Sequence, residues 1–247
     1  MAISFGLHQR RLEPEILDQP GLDATAQQQA LIGLARINFI SASVYVLWRP
    51  IRALILRRQQ AGDQRTVRVL DVATGGGDLA LCLRRRAKAN GLPLEVVGCD
   101  CNPVAIEHAR ASAIRRQVDG VSFFQLDALR EPFPDDFDVI TSSLFLHHLD
   151  EEAAVAFLRK MRESARELAL VNDLIRSRLG WCLAFFGTRV LSRSPIVHND
   201  GLLSVQAAFT MAEAMELASK AGWENAQIKW RWPFRFLLAN AQGARAV

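Results

Sequence analysis

One stretch, Val67–Ala80, constrains the fold of this 247-residue chain more than any other. Its first part, VRVLDV at 67–72, is rich in β-branched residues, as a buried central parallel strand requires. The glycines at 75–77 allow the backbone to turn sharply with no Cβ in the way. A helix that begins after such a turn offers unpaired N–H groups and the positive end of its dipole to a nucleotide-like ligand. The segment therefore predicts an α/β fold with a ligand site where this strand ends.

Two ligand classes fit this turn. The spacing Gly75-x-Gly77-x-x-Ala80 satisfies the loose dinucleotide fingerprint, and Asp100 fits passably as its acidic partner roughly 20 residues further on. Asp71, however, ends the strand and points toward the turn, where a carboxylate would repel a pyrophosphate and attract a cationic amino group. The residues thus favour a ligand with an amino-acid moiety and leave a nicotinamide-dependent oxidoreductase as the rival enzyme.

The string LDVATGGGDLA resembles motif I of the class I S-adenosylmethionine-dependent methyltransferases, and the resemblance extends across most of the chain. In that motif small residues alternate after an acidic residue; here Ala73 departs from the family by replacing its first glycine. Three further strings resemble later motifs in the family's order and spacing: LEVVGCDCNP, VSFFQLDAL and FDVITSSLFLHHLDEE. Four motifs in the right order form a much more specific signal than a lone glycine turn.

The resemblance implies S-adenosylmethionine as the cofactor. Asp100 would accept hydrogen bonds from the ribose hydroxyls, and Asp127 would meet the adenine amino group with Ala128 beside it. The full implied set of cofactor-binding residues is Asp71, Ala73, Thr74, Gly75, Gly77, Asp100, Cys101, Asp127, Ala128 and Ser143. Each aspartate also has a structural alternative, because Asp is common in turns and at strand ends.

The order of elements predicts an α/β fold, a doubly wound, seven-stranded and mostly parallel sheet with right-handed crossovers. We expect a single methyltransferase domain over 1–247, with N-terminal helices before the sheet and a helical insertion before the last helix. Its parts are a helical cover at 1–62, the cofactor-binding core at 63–173, a lid or acceptor insertion at 174–209, and the last helix with two strands at 210–247.

Local signals set several boundaries. Thr210 with Glu213 predicts a capping box, and Gly222 predicts the end of that helix. Asp23 can cap the first N-terminal helix, and Pro50 predicts a break near Arg49. The string SRSPIVHNDG predicts a turn.

Candidate catalytic groups follow the fourth strand. His147 and His148 lie beside the expected cofactor sulfur, and histidine, with an unperturbed pKa of about 6.5, suits proton abstraction. Either histidine could instead position the cofactor or pack under the loop. His198, next to Asp200, is a second candidate acid–base group.

Acceptor contacts are expected from two regions. Arg36 and Asn38 are polar groups on an apolar N-terminal segment, and an exposed helix face explains them equally well. The insertion holds Arg176, three more arginines and the apolar string GWCLAFFG, and no acidic residue occurs between Asp173 and Asp200. It could form a lid over a lipophilic acceptor, or it could be an ordinary helix whose arginines face water.

Composition excludes several classes. The net charge of +4 comes from basic residues spread widely, which is compatible with an anionic substrate or a peripheral membrane contact, whereas the aromatics interleaved in nucleic-acid grooves are absent. The apolar run from Ile37 to Leu56 is interrupted by Arg49, Pro50 and Arg52, so no transmembrane segment is expected. The four cysteines form no C-x-x-C pair, so we expect no zinc and predict reduced thiols in a cytoplasmic protein with no secretory signal.

The chain is also similar to a bacterial methyltransferase group often associated with type III polyketide synthases and flavin oxidoreductases. The matching strings are DQPGLD, VNDLIRSRLG, RSPIVHNDGLLSVQAAFT and WPFRFLL, together with the fourth motif. This similarity implies O-methylation of a small, lipophilic phenolic or polyketide-like acceptor. Motif I also resembles the quinone-biosynthesis C-methyltransferases, so C-methylation of a quinone-type ring stays open, as does a non-catalytic, cofactor-binding partner protein. The oligomeric state is left open.

Overall fold

The computed structural model describes residues 7–18, 23, 29–30, 33 and 43–242. A seven-stranded sheet forms its centre, with strand order β3-β2-β1-β4-β5-β7-β6. The strands are β1 (Val67–Val72), β2 (Leu94–Asp100), β3 (Val121–Gln125), β4 (Val139–Ser143), β5 (Leu168–Leu174), β6 (Ala226–Arg231) and β7 (Arg235–Ala241). The first five strands pair in parallel, and β7 runs antiparallel to both β5 and β6. The prediction of a doubly wound, mostly parallel α/β sheet is confirmed.

Seven helices have described bounds, besides two short 3₁₀ turns at Ile16–Asp18 and Leu146–His148. They are α1 (Ser43–Gln60), α2 (Asp78–Ala89), α3 (Pro103–Arg115), α4 (Glu151–Ser164), α5 (Arg178–Leu191), α6 (Pro195–Ala207) and α7 (Met211–Lys220). One apolar core lies between the sheet and the pair α4 and α7, and a second lies between the sheet and α1, α2 and α3. Burial on both faces explains why the central strands are nearly continuous apolar runs.

Strand order determines where a ligand can sit. β1 lies between β2 and β4. After β1 the chain adds β2 and β3 on one side, and it then crosses back to add β4 and β5 on the other side. In open α/β sheets this reversal opens a crevice outside the carboxyl ends of the strands. The glycine turn that follows β1 lies at that crevice.

The predicted break at Pro50 is wrong. Helix α1 continues from Ser43 to Gln60 with Pro50 inside it. Leu47 and Ile51, on either side of Pro50, are fully buried in the core, and this packing compensates for the backbone hydrogen bond that proline cannot make. The proposed cap of Asp23 depends on residues 24–28, and Arg36 and Asn38 belong to 34–42; both ranges lie outside the described residues.

The predicted turn around His198 is also wrong, because residues 195–201 of this string form the first half of α6. Ser194 and Pro195 begin the helix, as proline at the first helical position favours. Tertiary contacts then explain the turn-like residues within it. Asp200 accepts hydrogen bonds from the backbone N–H groups of Ile16 and Leu17, both at 3.0 Å. The insertion is therefore helical as expected, but it consists of two helices, α5 and α6, which pack against each other.

The predicted boundaries of the last helix, α7, are confirmed. Thr210 Oγ1 accepts a hydrogen bond from Glu213 N at 3.2 Å, and Glu213 Oε2 accepts one from Thr210 N at 2.8 Å. Gly222 follows the helix with φ +80°, the left-handed conformation that ends helices. Across the described part of the chain, every helix is too short or too polar to cross a lipid bilayer.

Candidate functional site

The turn after β1 is built from left-handed backbone. Gly75 and Gly77 have φ values of +54° and +77°, and Ala73 adopts +55°. A Cβ at Gly77 would lie 2.7 Å from the ring of Phe123 and 2.8 Å from Ala109 Cβ, so close packing as well as conformation requires glycine there. A Cβ at Gly75 would project into open space, which leaves room for a ligand over this residue.

Asp71 holds this turn in place. Its carboxylate is buried and accepts hydrogen bonds from Thr74 Oγ1 at 2.6 Å and Thr141 Oγ1 at 3.0 Å. Burial raises the pKa of Asp71 to about 6, while the two threonine hydroxyls act in the opposite direction. Asp71 is thus a fixed acidic group beneath the glycine turn, and Thr74 is its direct partner.

Asp100 joins the end of β2 to the same turn. Gly75 N donates to Asp100 Oδ2 at 2.9 Å, and Asn102 N donates to Oδ1 at 2.9 Å. Asn102 caps α3 by accepting from Val104 N, which fixes the backbone beyond the carboxylate. Cys101, between Asp100 and Asn102, is exposed. The two most specific sequence signals, the glycine turn and the acidic residue of β2, are therefore in direct contact.

Asp127 and Ala128 lie after β3. Asp127 Oδ1 accepts a hydrogen bond from Leu129 N at 2.9 Å. The carboxylate therefore stabilises the turn in which it lies, which is the structural role considered for this aspartate in the sequence analysis. Ala128 is buried, and its carbonyl accepts from Lys160 Nζ of α4 at 2.7 Å. These contacts fix the turn next to the end of β2.

Ser143 ends β4, and its hydroxyl accepts a hydrogen bond from Asn172 Nδ2 of β5 at 2.9 Å. Two buried polar atoms beside this bond, Ser142 Oγ and Asn172 Oδ1, have no hydrogen-bond partner within the described part of the chain. Buried polar groups normally have hydrogen-bond partners, so these atoms at the strand ends can form hydrogen bonds with a ligand or water. Ser143 completes the set of ten predicted cofactor residues, which lie at the ends of four neighbouring strands, β1 to β4.

His147 is held in a buried charge cluster. Its Nδ1 lies 2.7 Å from Asp173 Oδ1, and its Nε2 lies 3.8 Å from Glu15 Oε1. Burial by itself would lower the pKa of His147, but the two carboxylates outweigh burial and raise the pKa to about 10. His147 lowers the pKa of Asp173 and of Glu15 in return, against the effect of their own burial. His147 therefore keeps its proton at neutral pH and acts as a cation.

His148 lies next to this cluster and is partly buried, with its ring centroid 4.2 Å from that of His147. Glu15, His147 and His148 each place one atom able to bind a metal within 4.8 Å of the others. Metal binding by His147 would require the ring to lose the proton that it keeps in this cluster, because a metal-bound imidazole must be neutral.

The N-terminal segment 7–18 covers this region. Arg10 donates to the carbonyl oxygens of His147 at 2.7 Å, Leu149 at 2.5 Å and Ala207 at 2.5 Å. Ser204 of α6 donates to Glu15. Sequence reasoning missed both Arg10 and Glu15, because their partners lie far away along the chain and no local pattern signals them.

His198 is half-buried and Arg176 is buried. His198 Nε2 lies 2.8 Å from the carbonyl oxygen of Ser192, in the loop between α5 and α6. The Arg176 guanidinium is buried and forms a two-point ion pair with Glu213 at 2.6 and 3.0 Å, and it also donates to Ala208 O at 2.7 Å. This placement supports a structural role for Arg176.

Comparisons with known proteins agree with the geometry. Residues 69–167 match the family described as "Methyltransferase domain". The chain is 43% identical over 137 residues to the demethylmenaquinone methyltransferase of Thermus thermophilus, covering 55% of this chain and 58% of that protein. It is 35% identical over 137 residues to the ubiquinone/menaquinone biosynthesis C-methyltransferase UbiE of Azotobacter vinelandii, covering 54% and 51%. The chain thus spans about half the length of the curated relatives it matches.

A solved structure extends the likeness to the whole fold. The magnesium protoporphyrin IX methyltransferase of Synechocystis PCC 6803, solved with bound S-adenosylhomocysteine, superposes with a TM-score of 0.52 at 13% identity. The superposition covers 92% of this chain and 91% of that one. By its family match, its strand order and its superposition on a solved structure, the chain is similar to methyltransferase domains, and the match to the family spans residues 69–167.

Proposed function

We propose that this chain binds S-adenosylmethionine at the ends of β1 to β4 and transfers its methyl group to a small, lipophilic aromatic acceptor. The observation that carries the proposal is the contact between Gly75 N and Asp100 Oδ2 at 2.9 Å. It brings the glycine turn and the second acidic residue to one point at the crevice of the sheet, where this fold binds its ligands.

The residues fit that cofactor chemically. A Cβ added at Gly75 would meet no atom within 4 Å, so a ligand has room there. The acidic residues Asp71, Asp100 and Asp127 lie at or just after the ends of β1, β2 and β3. Carboxylates suit a ligand with hydroxyl and amino donors and a net positive charge, and they do not suit a pyrophosphate. The unpartnered Ser142 Oγ and Asn172 Oδ1 offer further polar contacts beside them.

Each acidic residue has its own proposed role. Asp100 would accept from the ribose hydroxyls, and Asp127 would accept from the adenine amino group with Ala128 at its side. Asp71 would hold the turn through Thr74 and attract the amino end of the cofactor. Ala73, Gly77, Cys101 and Ser143 complete the proposed site.

When bound, S-adenosylmethionine supplies a methyl group already activated by a sulfonium. The protein then has to place a nucleophile in line with that carbon and exclude water, and orientation alone can supply about 7 to 11 kcal/mol of the barrier reduction. The segment 7–18, tied down by Arg10 and Glu15, forms part of the cover that would exclude water.

A base is required if the nucleophile is a phenol. His147 keeps its proton in the pair with Asp173, so it would position its neighbour rather than accept a proton. His148 is partly buried beside it, and we propose His148 as the proton acceptor. His198 has no demonstrated link to this cluster and stays a weaker candidate.

The methylated atom separates two versions of the proposal. The similarity to enzymes associated with polyketide synthases favours a phenolic or polyketide-like acceptor and O-methylation. The relatives named above, at 43% and 35% identity, carry names of quinone-biosynthesis enzymes, and one is named a C-methyltransferase. C-methylation of a quinone-type ring is therefore the second candidate, and Arg36 and Asn38 remain proposed acceptor contacts in both.

Cofactor binding is the first test. We expect calorimetric titration to show binding of S-adenosylmethionine and S-adenosylhomocysteine but not of NADH. D100A should weaken both adenosyl ligands by about tenfold or more, because a charged acceptor of hydrogen bonds is lost. D119A is the matched control, since Asp119 is exposed and paired with Lys88 at the surface, and it should bind as the native protein does. Binding of NADH alone would overturn the proposal.

Turnover is the second test. Methyl-labelled cofactor is offered with phenolic lipids and with quinone precursors, and the chemical shift of the transferred carbon separates a methoxy product from a ring methyl. H148Q should retain cofactor binding and lower kcat. Full turnover by H148Q would exclude the base assignment, and cofactor binding without turnover on any acceptor would favour a non-catalytic partner protein.

The compartment belongs to the same proposal. The four cysteines are all free in the structure, which supports a reducing compartment, and we propose the cytoplasm with peripheral contact at a membrane. The division into a cover at 1–62, a core at 63–173, an insertion at 174–209 and a final unit at 210–247 remains a working description of one domain.

A further inference from the structure

Helix α5 exposes several of its large apolar side chains. Its small residue Gly180 is buried, and its residue Thr188 packs within 2.7 Å of the position that a Cβ of Gly201 in α6 would take. By contrast, Leu179, Phe186 and Val190 are 68%, 66% and 80% exposed. In a globular protein the apolar stripe of a helix normally faces the core, so the outward stripe needs a partner.

The exposed residues share one face. Leu179, Leu183, Phe186 and Val190 follow each other at intervals of four, three and four residues, the spacing of neighbours along a helix. All four are exposed. This set is called the α5 stripe below.

Two exposed tryptophans lie at the start of the helix. Trp230 and Trp232, at the end of β6 and in the turn to β7, are 48% and 61% exposed. Phe234 of this turn accepts a hydrogen bond from Ile175 N at 2.9 Å, and its Cβ lies 3.2 Å from the Cβ position of Gly180. The turn therefore abuts the first turn of α5. Tryptophan is enriched where a protein meets the headgroup region of a bilayer.

The charge around the stripe has one sign. Residues 174–199 contain four arginines and no acidic residue. Arg178 and Arg189 are exposed and lie eleven residues apart, the interval that also separates Leu179 from Val190, so both flank the stripe on the same side. Arg193 is exposed just beyond the end of the helix. Such a rim complements an anionic lipid surface, with the arginine stems over apolar groups and the charges at the phosphates.

We propose that the α5 stripe, with Trp230 and Trp232, docks this protein on an anionic lipid bilayer, with α5 lying in the plane of the interface. The helix follows β5 directly, and Asp173 near the end of β5 is the partner of His147, so the docking face adjoins the proposed acceptor region. The docking deepens the peripheral membrane contact of the proposed function, and entry of a lipophilic acceptor from the bilayer rests on the proposed methyl transfer.

Vesicle co-sedimentation tests the proposal with the full chain. The native protein should sediment with vesicles of phosphatidylcholine and phosphatidylglycerol, and more weakly with phosphatidylcholine alone. The double variant F186S/V190S should lose about tenfold or more of this binding, because two exposed apolar anchors are removed. I114S is the matched control, since Ile114 is 79% exposed on α3, away from the stripe, and it should bind as the native protein does.

A charge variant and three further measurements complete the design. R189Q/R193Q should lose the preference for anionic vesicles. Circular dichroism and S-adenosylmethionine titration without vesicles should be unchanged in both double variants, so loss of fold or of cofactor binding is distinguished from loss of docking. The proposal is overturned if the native protein stays in the supernatant with both vesicle types, or if F186S/V190S binds like the native protein. A dimer in light scattering that F186S/V190S dissociates, without vesicle binding, would assign the stripe to a second copy instead.

Discussion

Replacement of His147 by glutamine tests whether the buried charge cluster holds the N-terminal segment on the sheet. The side chains of His147 and Asp173 are only 4% and 2% exposed, and their 2.7 Å contact leaves no room for water. Glutamine can still donate a hydrogen bond but carries no charge, so H147Q removes the cation that contacts the buried Asp173 carboxylate directly. Breaking a buried pair in this way costs about 3 to 5 kcal/mol, a large share of the roughly 5 to 15 kcal/mol that stabilises a typical domain.

The pH dependence gives this prediction a specific signature. The pKa of His147 is raised from about 6.5 in the unfolded chain to about 10 in the fold. A raised pKa contributes its full stabilisation below about pH 6.5, and that contribution is lost as the pH rises toward about 10. The pKa values of Asp173 and Glu15 are lowered, so their contribution is present at neutral pH and is lost as the pH falls below about 4.

Urea denaturation followed by tryptophan fluorescence measures both effects. The free energy of unfolding of the native protein should fall between about pH 7 and pH 10, and H147Q should lack most of that slope. H198Q is the matched control, because the His198 ring is hydrogen-bonded to a neutral backbone carbonyl, and it should cost about 1 kcal/mol. A loss of less than about 1 kcal/mol in H147Q at pH 7, or an alkaline slope equal to that of the native protein, would show that the His147–Asp173 pair does not stabilise the fold.

Two further substitutions test the glycine turn. G77A should destabilise the protein by about 2 to 5 kcal/mol and abolish cofactor binding, because it combines left-handed backbone strain with a 2.7 Å clash against Phe123. G187A is the control, because Gly187 is a helical position with open space around it, and it should be neutral or slightly stabilising in the same denaturation assay. A73G should raise the midpoint of thermal unfolding, because glycine adopts a φ of +55° without strain. Glycine also has a higher entropy in the unfolded chain, so the net gain in stability is up to about 1 kcal/mol. A lower midpoint would show that packing of the Ala73 methyl group stabilises the turn.

Much of the core could be predicted because its signals are local. The strand 67–72 is observed at the predicted residues, and the capping box of Thr210 and Glu213 is present with both hydrogen bonds. Strand burial, glycine turns and caps depend on neighbours in the sequence, which a pattern can reveal. The family resemblance added the ten cofactor candidates, whereas the order of strands within the sheet comes from the structure.

Other features depended on distant contacts. Pro50 stays inside a helix because Leu47 and Ile51 are buried by the sheet, and Asp200 lies within α6 because its carboxylate binds backbone from residues 16 and 17. Neither partner can be identified from the local string, so the break and the turn were the best local predictions and were wrong.

By itself the sequence determined the class of fold, the glycine turn after β1 and the acidic residues that end neighbouring strands, since alternation, glycine and capping act over a few residues. Only the tertiary structure decided the charge state of His147 and the direction in which α5 presents its apolar side chains. Both depend on what surrounds a side chain: two carboxylates distant in sequence make His147 a cation, and packing of Gly180 and Thr188 inward leaves Phe186 and Val190 in solvent. Burial and charge are properties of the assembled fold, and they convert a sequence motif into a site with a defined chemistry.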